Sequence, residues 1–290
     1  MIMAGRRAGH GYDGDDHDRD DGEMDGPHPE APSPAVVVDI GNSTTHIGLW
    51  RDGSISDQSG HPTASESLDS VGDAFVRHAE SVADDVVVSV VIASVVPAAL
   101  VRLSAWVADR MNVEPLVVGR QIPLPLPVKL PRPEAVGVDR LCAAAAAYAI
   151  SREPCAVVDF GTAITIDVVD EHGSFIGGAI LPGLGLQAAA LHEHTALLPE
   201  VTVCRPDQPI GRDTIEAIRS GIYYGVSGAV RGVVETYASV LGRWPPVIAT
   251  GADAELIAGA CDFFSVVVPD LCLRGVGLAY AKWHDGAVRL

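Results

Sequence analysis

One segment of this 290-residue chain occurs twice, and the repetition limits the folds open to it more than any bulk property does. VVDIGNSTT at 37–45 returns 120 residues later as VVDFGTAIT at 157–165. Each copy is a valine run ending in Asp, followed by an apolar residue, Gly and a small polar side chain. A repeat at that spacing predicts two domains of similar fold, over residues 35–150 and 151–290. Strand and helix signals alternate from Ala35 onward. SVVIASVV reads as a buried strand, and DRLCAAAAAYAI as a helix rich in the best helix former. The low-polarity stretch Val86 to Val101 is too short to span a membrane and is interrupted by Ser89, Ser94 and Pro97, so it too reads as buried strand. The fold class is α/β.

At the end of a buried strand, Asp-x-Gly followed by Asn or Thr presents a carboxylate where the chain emerges. Gly lets the backbone turn tightly and approach a ligand with no Cβ in the way. Asn42, Ser43 and Thr44 in the first copy, and Thr162 and Thr165 in the second, add donors at the same place. Together these make a phosphate cradle of amides and hydroxyls, with carboxylates behind it for a cation. One copy alone reads better as an Asx turn in a hairpin. Two copies at domain spacing favour the functional reading.

Charge narrows the field further. The chain carries 20 Lys plus Arg against 38 Asp plus Glu, a net charge of −18, which repels polyanions and argues against nucleic-acid or acidic-membrane partners. Only Lys129 and Lys282 are lysines, and neither follows a glycine-rich loop, which excludes a P-loop enzyme. Residues 1–34 hold nine of the acids, three arginines and almost no large apolar side chains, leaving −12 on the rest. That composition predicts a disordered acidic tail, with His10, His17 and His28 solvated in it. No basic segment followed by an apolar one opens the chain, so a cytoplasmic protein is expected. Cysteines at 142, 155, 204, 261 and 272 lack metal or disulfide spacing and read as small buried residues of a reducing compartment. His192 and His194, two apart, do not share a helix face and are expected in solvent.

The paired hairpins look like the two phosphate loops of the superfamily that includes acetate and sugar kinases, actin and Hsp70. ASVVP (93–97), GVDR (137–140), DFGTAITID (159–167), GGAILPG (177–183), TALLP (195–199), GRDT (211–214) and SGIYYG (220–225) follow in order. The ordered set resembles the type III pantothenate kinases from about Val36 to Arg274. The resemblance implies two ribonuclease H-like domains in tandem, the actin-like ATPase fold, with mixed sheets flanked by helices and a cleft between the domains. It implies ATP-dependent phosphorylation of pantothenate at the first committed step of coenzyme A synthesis. ATP would meet Asp39, Ile40, Gly41, Asn42, Ser43, Thr44, Thr45 and His46 in the first loop and Thr162 in the second. Asp39 would hold the nucleotide's Mg²⁺, and Asp159 a monovalent cation, K⁺ or NH₄⁺. Gly137, Val138, Asp139 and Arg140 would bind pantothenate, with Asp139 the general base for its hydroxyl. Thr214 would reach pantothenate from the partner subunit of a homodimer.

The residues alone leave Asp139 evenly balanced between base and cap of the Ala-rich helix, and the resemblance decides for the base. Arg140 reads as a partner for the pantothenate carboxylate or a phosphate oxygen, or as a solvated arginine at a helix start. Asp167 is a candidate supporting acid behind the site. The chain departs from the family at Leu130, where a Tyr usually precedes the GxDR glycine by seven residues, and at Ala252, where Thr250 and Gly251 are usually followed by a second Gly. Two other functions remain in view. A phosphohydrolase of the same superfamily would direct water at the phosphate, but GVDR and GRDT argue for a seated alcohol. A silent regulator would have no need for Asp39, Asp139 and Asp159 together.

Overall fold

The structure is a computed structural model that describes residues 33–64, 72–74 and 89–287. Except for Ser33 and Pro34, the expected acidic tail lies outside the described residues.

The sequence repeat is a repeat of topology. Strands β1 (Ala35–Ile40), β2 (Thr44–Arg51), β3 (Ser54–Pro62), β4 (Ser89–Ser94) and β5 (Leu116–Val117) form one sheet in the order β3-β2-β1-β4-β5. Strands β6 (Cys155–Phe160), β7 (Ala163–Val169), β8 (Phe175–Pro182), β9 (Val247–Thr250) and β10 (Val266–Val267) form the second, ordered β10-β9-β6-β7-β8. In each, the first three strands run as an antiparallel meander and the last two join in parallel to the first. The two orders are therefore the same order, and the valine run of each repeat is its sheet's central strand. The hairpins differ by one residue: Asp39 pairs with His46, whereas Asp159 pairs with Thr165.

The valines explain why these strands sit in the middle. Val36, Val38 and Ile40 face one core with α1 (Pro97–Met111), and Ala35 and Val37 face another, so β1 is covered on both sides. Burying each such side chain contributes roughly 1.5–3 kcal/mol. In the second sheet Val158, Phe160, Ile164 and Ile166 pack under α4 (Thr214–Leu241), while Val157 and Val169 face α2 (Val138–Ser151). Of the Val86–Val101 stretch, Ser89–Ser94 is a buried strand and Pro97 opens α1, where a missing N–H costs nothing, while 86–88 lie outside the described residues. Three further α-helices are α3 (Leu184–Glu193), α5 (Ala254–Ala258) and α6 (Leu271–Ala287).

The last helix does not stay with the second sheet. Leu273, Val276, Ala279 and Tyr280 of α6 share a core with Ala35, Val37 and Trp50 of the first. Two glycines permit the approach: a Cβ on Gly275 would stand 1.9 Å from the Cys142 carbonyl oxygen, and one on Gly277 2.1 Å from the Trp50 ring. Helices α2 and α6 thus lie against each other between the sheets.

Cys142 and Cys155 are buried as expected, but Cys204 is exposed and Cys261 and Cys272 are half-buried, a correction to the reading of all five as buried. In the segment between α3 and α4, Val201 and Val203 take the inward positions, and Cys204 faces out with Thr202. His192 and His194 are exposed, and the His192 ring Nδ1 lies 2.8 Å from the Leu198 carbonyl oxygen.

Candidate active site

Asp39 is the penultimate residue of β1, only 9 % exposed, and its Oδ1 is buried with no hydrogen-bond partner among the described residues. The turn after it closes through Gly41 N–H to the Thr44 carbonyl at 3.0 Å, leaving Asn42 and Ser43 exposed at the tip. Thr63 braces this loop from β3's end. Its hydroxyl donates to the Gly41 carbonyl at 2.8 Å and lies 3.0 Å from the Thr45 hydroxyl, and its N–H donates to the Ser43 carbonyl at 3.0 Å. Of the predicted loop residues, Ile40 and Thr45 are therefore structural in their side chains: Ile40 enters the core and Thr45 bonds Thr63. Thr63 carried no sequence signal, because a Thr after a strand is common and only the register of β2 on β3 aims it at the loop.

The second hairpin mirrors the first. Asp159 is again the penultimate strand residue, and the turn closes through Gly161 N–H to the Ala163 carbonyl at 3.3 Å. Gly183 packs so closely that a Cβ there would stand 2.2 Å from the Gly161 carbonyl oxygen. Gly251, at φ +93°, brings the turn after β9 onto the Asp159 carboxylate, where a Cβ would stand 2.4 Å from Oδ1. The two loops meet each other: Ser43 Oγ and Thr162 Oγ1 are 2.8 Å apart.

Helix α2 supplies the third carboxylate. Its N-cap is Gly137, whose missing side chain leaves room for Asp139: a Cβ would lie 2.5 Å from Asp139 Oδ1. Asp139 is not the N-cap, but its Oδ1 accepts the Arg140 N–H at 2.8 Å, so it does satisfy one first-turn amide. The other reading of Arg140 as solvated fails, since its guanidinium makes a double contact with Asp167 and lies over the Phe175 ring at 5.5 Å. Val138 packs against the core that α6 shares. Cys272 of α6 donates its thiol to the Asp139 carbonyl at 3.6 Å, which ties the C-terminal helix to the site.

These carboxyls shape one another's chemistry. Burial pushes Asp39 up to about 7, with the Asp139 and Asp159 charges adding to it against a partly offsetting Cys272 thiol. Burial pushes Asp159 up to about 7 as well, with Asp139 and Asp167 adding. Burial raises Asp139 too, held back by the Arg140 amide and guanidinium. A buried, unpartnered carboxylate oxygen on Asp39, surrounded by like charges, is suited to a cation: a positive ion would supply the missing partner and relieve the repulsion. Neither lysine competes for this role, because Lys129 pairs with Asp170 at 2.7 Å and Lys282 donates to the Pro125 carbonyl at 2.5 Å.

Thr214 stands on the exposed first turn of α4 and makes no side-chain hydrogen bond among the described residues. The helix start there is fixed from both sides: Asp213, the N-cap, accepts from Glu216 N–H, and Glu216 Oε2 accepts from the N–H of the preceding Arg212, each at 2.8 Å. Leu130 is half-buried in the core under Phe175, 3.6 Å from where a Gly177 Cβ would be.

Two sheets of one topology, each carrying an Asp-x-Gly hairpin and joined where the hairpins touch, define the actin-like ATPase fold. Solved structures of that shape match the chain. Component A of the (R)-2-hydroxyglutaryl-CoA dehydratase of Acidaminococcus fermentans aligns at TM-score 0.51 and 15% identity, over 88% of this chain and 99% of that one. A Campylobacter jejuni protein of the Baf family aligns at TM-score 0.55 and 20% identity, over 88% and 100%. Within the class, the chain belongs to the type III pantothenate kinase family, whose profile matches residues 35–236. Type III pantothenate kinases of Rhodospirillum rubrum and Dehalococcoides mccartyi are 38% identical over 251 residues and 36% over 254. Those alignments cover 85% of this chain and 98% of the first relative, and 84% and 96% for the second. Among the described residues no helix is long and apolar enough to cross a membrane.

Proposed function

We propose that this chain phosphorylates pantothenate at the expense of ATP, forming 4'-phosphopantothenate for coenzyme A synthesis in the cytoplasm, with Asp139 as its base. The observation that carries the residue assignment is the approach of buried Asp39 and half-buried Asp139 and Asp159, each within reach of the others' charge, beside the contact between the two hairpins. The Gly41 and Gly161 turns cradle the nucleotide phosphates with backbone amides, and Ser43 and Thr162 add hydroxyls. Asp39 holds Mg²⁺ with the nucleotide, and Asp159 holds K⁺ or NH₄⁺. Bound there, the cations neutralise charge on the phosphates.

The chemistry asks little of the base. Phosphoryl transfer passes through a loose transition state, so positioning and charge neutralisation do most of the work. Asp139 orients the pantothenate hydroxyl on its free carboxylate oxygen while Oδ1 stays fixed on the Arg140 amide. It takes the proton late, as the new ester bond forms, and burial makes it a better base than an exposed aspartate. Arg140 meets the pantothenate carboxylate.

The substrate site is shared between two copies of the chain, with Thr214 reaching pantothenate from the partner. An exposed apolar surface beside Thr214 supports this reading. Ile215 and Tyr224 of α4 are 40% and 45% exposed and Ile210 79%. Gly221, Gly225, Gly228 and Gly232 leave one exposed face of the helix bare, with nothing within 4 Å of a Cβ. A face of that kind suits close helix packing.

The test is ADP release by the purified protein with ATP and Mg²⁺, in K⁺ or Na⁺, with and without pantothenate. Release should depend on pantothenate and rise in K⁺. Release indifferent to pantothenate contradicts the reading and favours the hydrolase.

A further inference from the structure

Arg140 commits one edge of its guanidinium, Nε and Nη2, inside the protein. Nε lies 3.2 Å and 3.1 Å from the two Asp167 carboxylate oxygens, and Nη2 also donates to Oδ1. The Asp167 side chain is 2% exposed and that of Arg140 18%. The carboxylate itself has no room to shift, because the Gly178 backbone lies so close that a Cβ there would stand 2.4 Å from Oδ1. The buried Phe175 ring covers the guanidinium, and the strap before α2 fixes that ring's strand, with Lys129 N–H on the Phe175 carbonyl at 2.9 Å and Phe175 N–H on the Pro127 carbonyl at 2.8 Å. Nη1 is the one guanidinium nitrogen with no partner among the described residues, and it is not sealed from solvent.

We infer that Asp167 is a positioning residue for substrate recognition: it locks the Arg140 guanidinium by its Nε–Nη2 edge, so that the donors left at the Nη1 end of the fork are presented to the carboxylate of the substrate. The inference rests on pantothenate being the acceptor. An arginine free in solvent must give up rotamer freedom when it grips a ligand, whereas this one has given it up on folding. The partner charge of Asp167 cancels that of Arg140, so the pair offers orientation in place of net attraction. It therefore selects an acceptor by the reach of its acid arm from the hydroxyl that Asp139 holds one residue away. Neither residue type alone carries this information. It lies in a helix start and a strand 27 residues apart, joined in space.

The test is steady-state kinetics and calorimetric pantothenate binding on the full chain. Asp167→Asn should raise the pantothenate KM and Kd about tenfold, leave kcat at saturating pantothenate within about threefold, and leave the ATP KM unchanged. In an Arg140→Gln background the same substitution should add less than about twofold, since the residue acts through Arg140. A pantothenate KM that does not move, an ATP KM that moves equally, or independent effects in the double variant would overturn the proposal. Should Asp167→Asn not fold, Asp167→Glu decides: it keeps the charge and displaces the carboxylate, so an unchanged pantothenate KM again overturns it. The parent protein is assayed alongside. If its ADP release ignores pantothenate, the function itself fails; if it responds and only the variants behave as the parent, this inference alone fails.

Discussion

The hydroxyls of Ser43 and Thr162 lie 2.8 Å apart although 119 residues separate them in the chain. They are the tips of two hairpins of like fold, so their contact marks where the two halves of the nucleotide cradle meet. Replacing Thr162 by Val should raise the ATP KM up to about tenfold, the worth of one neutral hydrogen bond, and leave the pantothenate KM within about twofold. Ser43→Ala should act in the same direction, and the double variant should cost less than the two together because they share one contact. Initial-rate kinetics in both substrates checks all three.

Asp139 and Gly137 form a second linked pair. Asp139→Asn should fold and lose on the order of 10²- to 10⁴-fold in kcat. Gly137→Ala should also lower kcat with ATP binding intact, because the new Cβ would lie 2.5 Å from Asp139 Oδ1 and displace the carboxylate. Circular dichroism and nucleotide titration separate lost chemistry from lost structure. A Gly137→Ala enzyme as fast as the parent would mean the carboxylate position is not critical.

The raised carboxyls set a pH dependence of stability. Folded Asp39 keeps its proton up to about pH 7, while in the unfolded chain it releases it near 3.8. Folding therefore binds a proton in that window, and this group makes stability fall as pH rises from about 4 to about 7. Without cations or nucleotide, Asp39→Asn should be more stable than the parent at pH 8, by about 2–4 kcal/mol, and indistinguishable near pH 4. Denaturant titration at the two pH values measures it, and Mg²⁺ with ATP should narrow the gap at pH 8.

The bare face of α4 leads to a prediction about assembly. Sedimentation should give a dimer for the parent, and Gly228→Arg should give a monomer whose pantothenate KM is raised at least about tenfold because Thr214 no longer arrives from a partner. A monomeric parent with full activity would contradict the shared site.

Much of this was legible in the sequence because the informative residues are local. VVDIG and VVDFG each carry their strand, their turn and their carboxylate within a few residues, so the duplicated topology and the placement of Asp39 and Asp159 follow from pattern alone. The Ala-rich run gave α2 for the same reason. What stayed hidden depends on contacts distant in the chain. Arg140 read as free for an anion or for solvent, and only the fold shows it bound to Asp167. Thr63 reaches the first loop through strand register. Helix α6 leaves its own sheet for the first one, and with it Cys272 reaches Asp139, 133 residues away in the chain. Cys204 could not be told from its buried counterparts, because a cysteine's burial is set by what packs over it.

Phosphorus NMR of the protein with ATP, Mg²⁺, K⁺ and pantothenate tests the central claim most directly. A phosphomonoester resonance should grow in step with ADP, and both should be nearly abolished in Asp139→Asn. Inorganic phosphate growing with ADP, and no monoester, would contradict the account.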